Sequence, residues 1–354
     1  MWPVRPEAQP DPAPATVPSG PGTADDDGPV DPLDAVRTAT AEVARRATFV
    51  RLVPDRLGPY ARELLAEGAL DPVTPSGEPD DPWLRAGGDA ESVAGRVLAL
   101  DTINFGSGWH PVVRKRLGRS GAVNMANGLS AWLAEDEGVH PERLVRLDSH
   151  VAHQVFDQPH DDGPVDELMG LFTVALNDLG RLVCDRHDGS FTALVERAGG
   201  SAATLVELLG EMPFFRDVST YGDLDVPLLK RAQLASADLH RAFGGEGLGR
   251  FDDLDRLTAF ADNLVPHVLR LDGVLTYDGE LVARIHTGEL LTAGAPEEVE
   301  IRALGVHAVE RLRAALAELG HDVPSWRLDQ VLWERGGGAT YKAVPRHRAR
   351  SVFY

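Results

Sequence analysis

A chain of 354 residues with 43% hydrophobic content can bury a sizeable core without disulfide or metal staples. Its 35 lysines and arginines stand against 55 aspartates and glutamates, a net charge of −20. That balance argues against a protein gripping duplex DNA or tRNA, a grip that rests on neutralising phosphates with a basic surface. A small anion stays compatible, because it needs a local cluster of donors and not a basic face. The single cysteine, Cys184, rules out an intramolecular disulfide and a cysteine-rich metal site, and points to a reducing compartment. No apolar run approaches the ~18 residues of a spanning helix, and the N-terminus lacks a basic-then-apolar leader. The expectation is a soluble, cytoplasmic protein without membrane contact.

Residues 1–30 are dominated by Pro, Asp, Ala and Gly, with too few large apolar side chains to offset the entropy of ordering, and are expected to be a disordered tail. Residues 31–354 are expected to form one domain. Asp31-Pro32 supplies an N-cap and a first-turn proline, and Leu33, Val36, Thr40, Val43, Ala47 and Val50 then recur at helical spacing. Further helices are expected over 60–68, 91–103, 129–136, 165–187, 203–209, 228–243 and 257–271, divided by Gly, Pro and Asp punctuation. In 228–243, Pro227 is read as the start, with Leu228, Leu229, Ala232 and Leu234 on the buried face. Residues 274–285 are ambiguous. Asp278-Gly279 is a hairpin signal, yet Asp278 can instead cap a short helix carrying Leu281 and Ile285 and ended by Gly288; the pattern favours the helix. The longest stripe is Ile301, Leu304, Ala308, Val309, Leu312, Ala315 and Leu316, preceded by Glu297, Glu298 and Glu300 and closed by Gly320. The fold class is therefore all-α, with at most a minor β element. Gly336 to Gly338 is a loop and not a phosphate fingerprint, having neither a preceding strand nor the required spacing.

The most informative segment is Thr258 to Arg270, T-A-F-A-D-N-L-V-P-H-V-L-R, which sets Asp262 among apolar residues just before a proline. A carboxylate there is either a capping or ion-paired structural acid, or a group whose tuned pKa serves chemistry. Lys230 emerges among leucines in V-P-L-L-K-R-A-Q, where a lone lysine ordinarily snorkels to solvent. Asp101, Asn104, Phe105, Ser107 and Trp109 fall within nine residues punctuated by Gly106, Gly108 and Pro111. Such a set suits a purine-like base, held by stacking and by hydrogen bonds to its edge, and equally suits a helix end with an aromatic plug. Lys342, Arg346, His347, Arg348 and Arg350 form a basic tail, fit either for a phosphate or for ion pairing with the acidic body. His150 and His153 have helical i to i+3 spacing with Asp148 and Asp157 nearby, but the sequence supplies no convincing further metal ligands. Cys184 reads as a packed thiol.

Four segments together resemble the queuosine salvage proteins: L-D-T-I-N-F-G-S-G-W-H-P from Leu100, the segment around Asp262, E-E-V-E-I-R-A-L-G-V-H-A-V-E from Glu297, and the tail Y-K-A-V-P-R-H-R-A-R-S-V-F-Y from Tyr341. The resemblance spans residue 31 to the C-terminus. It implies a helical N-glycosidase that hydrolyses queuosine 5'-monophosphate and releases queuine for reuse in tRNA modification, with no metal or redox cofactor and no direct nucleic-acid contact. It implies Asp262 as the catalytic aspartate, with Lys230 facing the site to hold phosphate or to keep Asp262 ionised. On that reading Asp101, Asn104, Phe105, Ser107 and Trp109 are candidates for the base, Asp101 matching queuine's cationic amine, and Arg346, His347 and Arg348 are candidate substrate-binding residues of a tail that serves either the phosphate or ion pairing. A lysine-bearing helix followed by a later aspartate is loosely analogous to helix-hairpin-helix DNA glycosylases. The alternatives are an N-glycosidase for a different modified nucleotide, or a non-catalytic binder of a modified purine or deazapurine nucleotide.

Overall fold

Asp31 opens the first helix as its sequence requires: its carboxylate accepts the Leu33 N–H at 2.9 Å, and Pro32 starts Pro32–Arg46. The computed structural model describes residues 30–70, 87–116, 119–136, 138–161 and 163–354, so the expected N-terminal tail lies outside the described residues. Residues 31–354 cluster as one unit. They are mostly helical, with two small two-stranded antiparallel sheets, Val50–Leu52 with Leu275–Tyr277 and Val218–Tyr221 with Leu224–Pro227. Among the described residues no helix is long and apolar enough to cross a membrane.

The organising element is the helix Pro296–Glu318. Val299, Ile301, Ala303, Leu304, Val306 and Ala308 are all buried along consecutive turns, so its N-terminal half is enclosed on every side, as an internal helix must be. Around it pack Pro32–Arg46, Pro54–Ala66 and Val265–Leu271. Gly305 permits the last of these approaches, since a Cβ there would stand 3.2 Å from the Pro266 ring. A second group joins Ala90–Thr102 to Lys230–Ala242 and to the long helix Pro164–Arg186.

Three expectations need correction. Helical periodicity through Val50 is interrupted: the first helix ends at Arg46, and Val50 begins a strand paired with Tyr277. Pro227 does not start a helix but ends a strand, and Leu229 takes a left-handed φ of 51° before the helix begins at Lys230. Residues 257–264 are not helical, and only Val265–Leu271 is. The ambiguous 274–285 segment contains both elements. Leu275–Tyr277 is a strand, and Asp278 then caps Gly279–His286, with Leu281 and Ile285 buried and Gly288 at φ 80° beyond its end.

Candidate active site

The irregular stretch before Val265 is buried, so its backbone polar groups need partners from elsewhere. Gln233 Oε1 accepts the Thr258 N–H at 2.9 Å, Asp329 Oδ1 accepts the Phe260 N–H at 2.9 Å, and Arg302 Nε donates to the Ala261 carbonyl at 3.0 Å. Asn263 Nδ2 donates to the His347 carbonyl at 3.1 Å. Three side chains from distant elements thus replace the helical ladder, and with the Asn263 side chain anchored to the tail they fix the residues on both sides of Asp262. Asp262 itself is half-buried and places Oδ1 at the start of Val265–Leu271, accepting the N–H groups of Leu264 and Val265, each at 2.9 Å. The acid is therefore a helix cap through one oxygen, while Oδ2 takes no part in that cap. Burial pushes its carboxyl above the usual range; the Lys230 ammonium, the two N–H groups and the Arg346 guanidinium oppose the rise.

Lys230 is buried rather than snorkelling. Asp217 sets its place: the Asp217 carbonyl accepts from Leu228 N at 2.8 Å and Leu229 N at 3.2 Å, and its Oδ2 accepts from Lys230 N at 3.2 Å. The lysine Nζ donates to the Asn104 carbonyl at 3.1 Å and to Asn104 Oδ1 at 3.2 Å. Burial lowers its pKa, and the charges of Asp262, Asp101 and Asp329 act in the opposite direction. Asp329 was missed from sequence. It lies on Ser325–Gly336, buried with Trp326, Leu328 and Leu332, and burial together with Asp262 raises its pKa well above the ordinary value. An acid on the apolar face of W-R-L-D-Q-V-L was the available signal.

Asp101 ends on the buried side of Ala90–Thr102. Burial and then the nearby Asp238 hold its carboxyl well above the usual range, and its Oδ2 has no hydrogen-bond partner among the described residues. Asn104 is exposed and links this helix end to Lys230. Ser107 is half-buried and its Oγ is likewise unpartnered among the described residues. Phe105 and Trp109 present little surface to solvent. Phe105 is packed edge-on to Phe172 and Phe214, at centroid distances of 5.0 and 6.0 Å, with the Arg231 guanidinium 4.9 Å over its ring. Trp109 Nε1 donates to Glu167 at 2.7 Å.

The C-terminal tail folds back on this segment. Gly106 N donates to the Tyr354 carbonyl at 3.1 Å, and Gly108 is needed because a Cβ would collide with the Ala349 carbonyl. The tail's charges separate on folding. Arg346 keeps solvent access and lies close enough to Asp262 for the two charges to act on each other. His347 is buried, and desolvation with the surrounding arginines pushes its imidazole down to about 3, so it is neutral at pH 7. Arg348 points to the Gly288 carbonyl at 3.4 Å, and Arg350 pairs with Glu167 at 3.3 Å. Lys342 is exposed. Cys184 is half-buried, its thiol pushed up by burial.

Folding therefore brings Asp262, Lys230, Asn104, Asp101, Asp329 and Arg346 into one electrostatically linked cluster. A carboxylate whose second oxygen takes no part in the cap, in the field of two cations, can face a developing positive charge while an anion is held nearby.

Comparison with known proteins identifies the family. The family described as queuosine salvage protein matches residues 86–354. A Sphaerobacter thermophilus protein named queuosine 5'-phosphate N-glycosylase/hydrolase is 35% identical over 333 residues, covering 92% of this chain and 99% of the relative. Proteins of the same name from Dictyostelium discoideum and Mus musculus are 32% and 36% identical, covering 75% and 51% of this chain and 79% and 56% of their own lengths. By the extent of the family match and the near-complete alignment with the Sphaerobacter protein, the chain belongs to the queuosine salvage protein family.

Proposed function

We propose that this protein hydrolyses the N-glycosidic bond of queuosine 5'-monophosphate, giving queuine and ribose 5-phosphate, and so returns queuine for tRNA modification. The observation that carries the reading is Asp262 itself: one oxygen is fixed by two N–H groups, and the carboxyl lies in the field of Lys230 and Arg346. As the C1'–N bond breaks, its electron pair leaves with the base, which takes up a proton, and positive charge develops on the ribose. Asp262 stabilises that charge and orients the water that forms the new C1'–O bond and loses a proton. Lys230 keeps Asp262 ionised in a site whose burial favours the neutral acid.

Arg346 is the tail residue suited to the 5'-phosphate, because Arg348 and Arg350 face Gly288 and Glu167 and His347 is buried and neutral. Asp101 and Asn104 supply polar groups for the base and its amine, and Ser107 Oγ adds a further donor. Phe105 and Trp109 act here as packing that holds this wall in place.

Asp262→Asn preserves the acceptor for Leu264 and Val265 and removes the charge. Turnover of queuosine 5'-monophosphate should fall by roughly two to four decades with the fold intact. Tight binding of the nucleotide with no release of queuine by the parent protein would favour the binding-protein reading instead.

A further inference from the structure

Apart from the Asp262 cluster, the helix Ser149–Val155, the turn after it and the first turn of Pro164–Arg186 bring His153, His160 and Asp166 together. One ligand-type atom from each lies within 4.8 Å of the others. The protonation pattern makes this more than a chance meeting. His153 is buried, and its Nδ1 stands 3.1 Å from the Gln158 carbonyl oxygen. Only an N–H can face a carbonyl at that distance, so Nδ1 carries the proton, and in the neutral ring Nε2 presents a lone pair. That lone pair is 3.0 Å from Asp166 Oδ1 without hydrogen-bond geometry. His160 Nδ1 approaches the same oxygen at 3.3 Å. A buried lone pair facing a carboxylate oxygen calls for a positive charge between them, and Oδ1 keeps acceptor capacity for it beyond the Asp161 N–H it accepts at 3.3 Å.

The spacing suits a small divalent ion. Tetrahedral zinc with bonds of about 2.0–2.1 Å sets its ligand atoms about 3.3–3.4 Å apart, close to the 3.0 and 3.3 Å at which the two imidazole nitrogens stand from Asp166 Oδ1. The group that orients His153 is itself fixed. Gln158 Oε1 accepts from Arg114 N at 2.8 Å, while its Nε2 donates to the carbonyls of Arg114 and Phe156 at 3.1 and 2.8 Å. A metal-bound histidine characteristically donates its second ring N–H to such a held carbonyl. His160 is exposed and gives the ion a route in.

We propose that His153 Nε2, His160 Nδ1 and an Asp166 carboxylate oxygen bind one divalent transition-metal ion of the zinc class, water completing the coordination. The ion clips the turn carrying His160 to the start of Pro164–Arg186. The residue after Asp166, Glu167, holds Trp109, so the clip steadies the wall behind the candidate active site without entering the glycosidic chemistry.

The test uses the full chain, free of any histidine tag and stripped with chelator, titrated with cobalt(II) as a spectroscopic probe and then with zinc. The expected result is a ligand-field band saturating near one equivalent, bleached by zinc, with cobalt affinity at least about ten-fold weaker in His160→Ala. Zinc should raise the melting temperature of the parent and leave that of His160→Ala unmoved. Asp166→Asn, with its fold checked by circular dichroism, provides a second variant with the same expectation. No saturable band near one equivalent would overturn the proposal. Equal cobalt affinity in the parent and both variants would overturn it too, by placing the metal on other histidines. None of these readouts depends on turnover, so they stand apart from the glycosidase reading.

Discussion

Arg302 and Asp217 form a fully buried, two-pronged ion pair, with Nη1 to Oδ1 at 3.1 Å and Nη2 to Oδ2 at 2.6 Å. Each partner has a second duty. Asp217 Oδ2 also accepts from the backbone of Lys230, and Arg302 Nε donates to the carbonyl of Ala261, the residue before Asp262. One brace therefore fixes where both the ammonium and the carboxylate of the candidate site begin.

Arg302→Met should cost about 3–5 kcal/mol in denaturant unfolding, because it leaves Asp217 buried without its countercharge. Adding Asp217→Leu should recover part of that stability by removing the orphaned acid. Turnover should stay depressed in the double variant, with kcat reduced more than KM, since neither Lys230 nor Ala261 regains its anchor. Full recovery of kcat along with stability would reduce the pair to a plain structural ion pair.

Lys230 lowers the pKa of Asp262 against the effect of burial. The sign of its removal follows: without the ammonium the Asp262 pKa rises, and a higher pH is needed to ionise it. In Lys230→Met the acid limb of kcat/KM should move to higher pH, in addition to any fall in the plateau. A profile lowered uniformly, with its acid limb in place, would show that Lys230 does not tune Asp262.

Arg346 is the tail cation whose charge acts on Asp262, while Arg348 and Arg350 have protein partners and His347 is buried. Arg346→Gln should raise KM for queuosine 5'-monophosphate by about ten-fold or more and leave any turnover of queuosine nearly unchanged. Steady-state kinetics with both substrates at low and moderate salt decides it. Equal losses on the two substrates would take Arg346 away from the phosphate.

Phe105→Ala tests a packed ring. Enclosed by Phe172, Phe214 and Arg231, the side chain should lose about 3–5 kcal/mol of stability when truncated, as buried phenylalanines do. Nucleotide affinity measured on the folded fraction should change little. A loss of affinity of 1–3 kcal/mol with an unchanged denaturant melt would instead mark Phe105 as a stacking face for the base.

The amphipathic stripes of Pro32–Arg46, Pro164–Arg186 and Pro296–Glu318 were legible in the sequence because helical periodicity is a local property, set by spacing within one segment. The cap at Asp278, the unusual acid Asp262 and the mixed set from Asp101 to Trp109 were legible for the same reason. The strand at Leu275–Tyr277 was not, since its partner Val50–Leu52 lies more than two hundred residues away. Nor was the irregular course of 257–264, whose apolar spacing mimics a helix. There Gln233, Asp329 and Arg302 bond the backbone groups that a helix would otherwise pair internally. Tertiary structure alone also sorted the charged tail, burying His347 and pairing Arg350 while leaving Arg346 beside Asp262. Composition and pattern determined that this chain is a helical protein with an acid worth watching. Which charges surround that acid was decided by long-range packing, because the field at a buried group depends on neighbours the local sequence does not contain.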